Sequence, residues 1–235
     1  MKRFWVILAA FLGLATTAVP ASADMVWTLN AGGSILATPG NYGTVTATQL
    51  GSGTALDPYH VQVKIDLAAG ERFVGGGKDG ILWNLQGSPT LQSILVTSSN
   101  KAGFTVKNAA PTYATGSYSD SPFSGPFEYA IDWNGSGSST ATESSITFDI
   151  KATGNLVLTP TLFSPSGNYY FAIDIGTGCE TKDNGKVTCA NTGSIASSTP
   201  PTQVPEPGTV GMSIAGLMGV AGLIMLQRRR KLAQA

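Results

Sequence analysis

The 235-residue chain holds one histidine and two cysteines, and charged side chains make up only 12% of it. A single histidine, His60, excludes the usual zinc sites, which take two or more imidazoles or a set of thiolates. It also leaves one candidate for imidazole acid–base work, and no G-x-S-x-G elbow supports a Ser-His-Asp triad around it. His60 falls on the polar side of an alternating strand, where a solvated residue is expected. Amphipathic helical periodicity is absent before residue 208. A phosphate loop is absent too. Gly75-Gly76-Gly77-Lys78-Asp79-Gly80 lacks the upstream glycine at the required spacing and the hydroxyl after Lys78, and reads as a turn. Nothing in the sequence asks for a metal or a cofactor, and none is expected.

Long apolar runs occur only near the two ends. Lys2 and Arg3 precede an apolar stretch over residues 4–19, and Ala21-Ser22-Ala23 forms an A-x-A site. Residues 1–23 are therefore expected to be a secretory signal peptide, removed by signal peptidase so that the mature chain starts at Asp24. This changes the charge balance. The whole chain has 14 cations and 14 acids, but without Lys2, Arg3 and the four cations of residues 228–231 it keeps 8 cations against 14 acids, a net −6. A scattered acidic surface argues against nucleic acid or an anionic membrane surface as partner.

Residues 203–231 read QVPEPGTVGMSIAGLMGVAGLIMLQRRRK. Pro205 and Pro207 bracket Glu206 and hold it extended. Residues 208–226 carry no charge. As a helix they would span about 28 Å, close to a hydrocarbon core of about 30 Å. Arg228, Arg229, Arg230 and Lys231 follow, and the positive-inside rule keeps them cytoplasmic. A buried core helix is the alternative, but such a helix is rarely followed at once by four cations.

Pro-Glu-Pro, an apolar span and an Arg cluster, in this order, resemble the PEP-CTERM sorting signal of Gram-negative bacteria. The resemblance implies an exosortase, an integral-membrane cysteine protease or transpeptidase, as the processing partner. It implies a cut near Pro205-Glu206-Pro207 in a precursor anchored in the inner membrane through residues 208–226. It also implies delivery to the cell surface or extracellular matrix, in association with exopolysaccharide and biofilm. The order of Tyr59-His60-Val61, Arg72-Phe73-Val74 and Leu82-Trp83-Asn84-Leu85 more loosely resembles PEP-CTERM ectodomains.

Between the two signals, short β-type runs alternate with Gly, Pro and Asn turns. Val61, Val63, Ile65 and Leu67 alternate with His60, Gln62, Lys64 and Asp66, and Ile146, Phe148 and Ile150 alternate with Thr147, Asp149 and Lys151. Phe171, Ile173 and Ile175 follow the same rule, which buries one face of each strand. The expected fold is all-β, a single jelly-roll-like β-sandwich over residues 24–191. A long loop is expected over 108–126, a short strand over 156–158, and a Ser/Thr/Pro linker over 192–204 leading to the sorting signal at 205–231.

Cys179 and Cys189 are an even pair in an exported domain, which reads as a disulfide. A two-residue Asn184-Gly185 turn would pair Cys179 with Ala190. A three-residue loop with Gly185 left-handed pairs Lys182 with Lys186 and Cys179 with Cys189, so that loop and a cross-strand disulfide are expected. Such a ring is worth about 2–3 kcal/mol in the loop-entropy picture.

The domain is expected to be non-enzymatic, an exported surface or matrix protein. The alternative is a carbohydrate-binding module or polysaccharide-modifying enzyme on the same sandwich. Trp83 and Trp133 are its candidate sugar contacts, with Trp27 and Tyr170 as further stacking aromatics. Asp132 with Glu143, or Asp149 with Asp174, are its candidate acid pairs.

Overall fold

The computed structural model describes residues 23–33, 36, 40–51, 59–74, 80–87, 89–98, 100–108, 115–134, 142–154 and 156–204. Its compact unit is Asp24–Gln203. Strands in chain order are β1 Asp24–Thr28, β2 Ala31–Gly32, β3 Gly43–Gln49, β4 Tyr59–Leu67, β5 Arg72–Phe73, β6 Ile81–Trp83, β7 Leu91–Val96, β8 Phe104–Val106 and β9 Tyr118–Asp120. They continue with β10 Phe123–Phe127, β11 Tyr129–Trp133, β12 Ser145–Ala152, β13 Phe171–Thr177, β14 Glu180–Thr181, β15 Val187–Thr188, β16 Asn191–Ser197 and β17 Thr202–Val204.

Two antiparallel sheets form the β-sandwich expected from the alternation. The first runs β17-β1-β3-β4-β12-β7, and the second β2-β16-β13-β6-β11-β8, with β5 also on β13. Register follows the period of two. Ile146 lies opposite Ile65, Phe148 opposite Val63 and Ile150 opposite Val61, so the apolar sides of β4 and β12 fall on one face. Thr44, Thr46 and Thr48 of β3 take the opposite face, beside Asp66, Lys64 and Gln62.

Rings knit the two layers together. Trp27 of the first sheet meets Phe171 of the second at 5.3 Å and Phe163 at 5.2 Å. Trp83 of the second sheet meets Phe148 of the first at 5.1 Å. Edge-to-face and tilted contacts of this kind add about 0.5–1.5 kcal/mol per pair beyond burial.

Three expectations are corrected. Residues 108–126 are not one long loop, because β9 and β10 form a hairpin there, turning at the cis Ser121–Pro122 bond. That hairpin lays Phe123 and Phe127 over Leu82, Ala130, Ala172 and Ala196 on the outer face of the second sheet. The expected linker over 192–204 is largely structured: β16 pairs with β13 along seven positions, and β17 lies beside β1. The domain therefore continues past residue 191. Residues 156–158 form no strand; Leu156 is buried, and the Leu158 N–H donates to Gln49 Oε1 at 2.6 Å.

Candidate functional site

The disulfide hairpin follows the expected register. Glu180 pairs with Thr188 and Thr181 with Val187, which leaves Cys179 opposite Cys189. The Lys182 N–H donates to the Lys186 carbonyl at 2.9 Å, and Gly185 closes the loop with φ +77°. The two cysteines are disulfide-bonded. They pack with Val74 and Val187, above Gly176 of β13.

The two tryptophans proposed as sugar contacts are core residues. Trp83 is 0% exposed, stacked on Tyr129 at 5.9 Å and tilted against Phe148. Trp133 is 9% exposed and packed on Phe104 at 4.9 Å. A ring enclosed on both sides has no face left for a sugar. Trp27 is buried in the same way, and Tyr170 lies against it at 6.4 Å. Among the described residues no tryptophan, tyrosine or phenylalanine falls in the exposed class.

His60 is not simply solvated. Its Nε2 stands 3.2 Å from Asp149 Oδ2, and Gln62 Nε2 donates to Asp149 Oδ1 at 3.0 Å. The pairing follows from register, because Gln62 lies opposite Asp149 and His60 opposite Lys151. No serine hydroxyl among the described residues hydrogen-bonds to this imidazole. The His60–Asp149 pair thus sits on a sheet surface with no serine in line among the described residues.

Neither acid pair drawn from the sequence converges. Asp149 is on the outer face of the first sheet and Asp174 on the outer face of the second, with the core between them. Glu143 accepts from Asn100 Nδ2 at 2.7 Å, whereas Asp132 is paired with Lys107 at 3.0 Å.

The structure instead brings Asp132 and Asp174 into one rank. Ile131 and Ile173 both lie opposite Ile81, so the next residue of each strand flanks Gly80. Two strand spacings separate these carboxylates' backbones, about 10 Å. Periodicity places each acid on an outer face but says nothing about which strands are neighbours, so the sequence had no signal for this pair. Both acids are engaged: Asp132 by Lys107, and Asp174 by the Ser194 hydroxyl at 2.7 Å. Among the described residues no cluster of three or more His, Cys, Asp or Glu forms a metal site.

Of the processing residues, Ala23 lies immediately before β1. Ala21, Pro205, Glu206, Pro207, Arg228, Arg229, Arg230 and Lys231 lie outside the described residues, as does the expected span 208–226. No helix of the described residues is long and apolar enough to cross a membrane.

No curated protein and no solved structure matches the chain. Residues 203–231 do match a family, the PEP-CTERM protein-sorting motif. The match starts at the second residue of β17 and runs through Lys231, covering the Pro-Glu-Pro, the apolar stretch and the cations together. The chain thus carries a PEP-CTERM sorting motif, the mark of an exported protein whose membrane-anchored precursor is processed by an exosortase.

Proposed function

We propose that the sandwich is a non-enzymatic structural protein of the cell surface or extracellular matrix of a Gram-negative bacterium, associated with exopolysaccharide and biofilm. Signal peptidase removes residues 1–23. Residues 208–226 hold the precursor in the inner membrane, with Arg228–Lys231 on the cytoplasmic side. An exosortase then cuts near Pro205-Glu206-Pro207.

The observation that carries this reading is the sorting motif joined directly to a closed sandwich. The tryptophans of that sandwich are spent on its core, and Asp132, Asp149 and Asp174 are each engaged by a neighbouring side chain. Such a domain suits a passive load better than a sugar platform, which needs an open ring face.

The test is a chain ending at Val204, expressed beside the full chain in a host with an exosortase. The full chain should be cut and appear at the surface or in the matrix. The short form should be exported but neither cut nor held at the membrane. If both forms share the same fate, the sorting half of the reading is wrong. A glycan array probed with the exported domain addresses the other half. Specific capture of one glycan class would overturn the passive role in favour of a carbohydrate-binding module.

A further inference from the structure

β17 occupies an edge of the first sheet, beside β1, and Val204 ends it directly before Pro205. No spare residue separates the last strand of the fold from the Pro-Glu-Pro. Proline has no N–H to add to a sheet ladder, so Pro205 cannot donate to one. Upstream, Pro200 and Pro201 likewise carry no N–H. Before them the chain is clamped. The Ser198 N–H and hydroxyl both donate to Asn30 Oδ1, at 3.2 and 3.0 Å. The order along the chain is therefore clamp at Ser198, proline hinge at Pro200–Pro201, and short strand at Thr202–Val204. The next segment is the cleavage sequence.

β17 is held weakly. It has three residues, all exposed, and it forms the outermost strand of its sheet. Strands of this kind open locally at small cost, far below that of global unfolding.

We infer that β17 is a latch whose release from β1 must precede the exosortase cut. The inference rests on the proposed membrane-anchored precursor. Two physical arguments support it.

The first is reach. From Val204 to Gly208, where the apolar stretch begins, the chain has four residues and spans at most about 14 Å. With β17 released, the tether starts at Thr199, and nine residues reach about 30 Å. A folded sandwich held within about 14 Å of the membrane crowds a membrane-embedded protease away from the bond. The longer tether makes room for it.

The second is backbone chemistry. Proteolytic clefts commonly bind substrate as an added extended strand, using the peptide's own N–H and C=O groups. In the latched state, part of that hydrogen-bonding capacity immediately before Pro205 is used by β1.

The experiment places the same five-residue Gly/Ser insertion at two positions of the full chain. One variant carries it between Val204 and Pro205, downstream of the latch. The other carries it between Pro201 and Thr202, upstream of the latch. Conversion of precursor to cut product is followed by pulse-chase in a host with an exosortase.

The downstream insertion should speed conversion by about fivefold to tenfold, the factor that loss of one or two net backbone hydrogen bonds implies. The upstream insertion should leave the rate unchanged, because a docked β17 keeps the added slack out of reach. If both insertions act alike, the latch is overturned while sorting stands. If the wild-type chain is never cut, the sorting reading itself is overturned.

Discussion

Asn30 holds Ser198 by two hydrogen bonds to one oxygen, from the backbone N–H at 3.2 Å and from the hydroxyl at 3.0 Å. The pair joins the segment after β1 to the segment after β16, and fixes the point from which the C-terminal stretch leaves the fold.

Asn30→Ala should therefore act locally. Two exposed hydrogen bonds together contribute on the order of 1 kcal/mol. We expect a small fall in thermal midpoint, with faster hydrogen exchange at Ser198 and in β17 and unchanged exchange in β4 and β12. Uniformly faster exchange across both sheets would refute a local clamp.

Gly176→Ala tests the seat of the disulfide. An added Cβ would come within 2.5 Å of Cys189 Sγ and 3.0 Å of Cys179 Sγ. Overpacking of this kind costs roughly 1–3 kcal/mol. With Cys179→Ala and Cys189→Ala also in place, the sulfurs are gone and the cost should shrink. A double-mutant cycle by urea denaturation measures the coupling. The Cβ of residue 189, 2.9 Å from the added one, stays in both backgrounds, so equal costs would show that the sulfurs are not what the Cβ strikes.

Trp83→Ala should cost about 3–5 kcal/mol, the usual loss for a fully enclosed large ring. The check is the urea midpoint of the exported domain. A loss below about 1 kcal/mol would be the behaviour of a surface residue and would return Trp83 to consideration as a sugar contact.

Tyr129 should make the domain sensitive to alkali. Burial, and after it the neighbouring Glu128 charge, push its phenol up from 10.0 to about 12. As pH rises between these values, the unfolded chain gives up this proton while the folded chain still holds it. Stability from this group is full below pH 10.0 and is lost towards pH 12, by roughly 2–3 kcal/mol in all. Tyr129→Phe should remove that slope and move the alkaline unfolding midpoint upward.

Glu71 acts in the same sense in acid. Burial raises its carboxyl above 4.5, and Arg72 partly opposes the shift. Its contribution is full when protonated and declines as pH climbs past 4.5 through its raised value. Glu71→Gln should flatten stability across that window, measured by urea midpoints at closely spaced pH values.

The strands with one covered face and one wet face are legible in the sequence. β4 and β12 show it as period-two alternation, β13 shows the alternation although its Ala172 side is covered by the hairpin, and the cysteine register follows from turn geometry alone. β16 was not legible, and its burial explains why. Ile195 faces the core, whereas Ala196 lies under the β9–β10 hairpin and Ser194 bonds to Asp174 and the Ser121 carbonyl. A strand covered on its outer side needs small residues there, and small residues give Asn191–Ser197 the composition of a linker. The hairpin was hidden for a related reason, because Pro111, Pro122 and Pro126 read as loop punctuation. The Asp132–Gly80–Asp174 rank depends on which strands are neighbours, and periodicity carries no information about that.

The hairpin over Leu82, Ala130, Ala172 and Ala196 has a consequence for assembly. A sandwich with two bare broad faces can stack without end, each copy offering a surface to the next. Here the hairpin covers one apolar cluster on the outer side of the second sheet from within the same chain, with Asp132 and Asp174 beside it, and among the described residues no buried apolar cluster lies on the threonine-bearing side of the first. Exposing that cluster to a second copy would require prying the hairpin away.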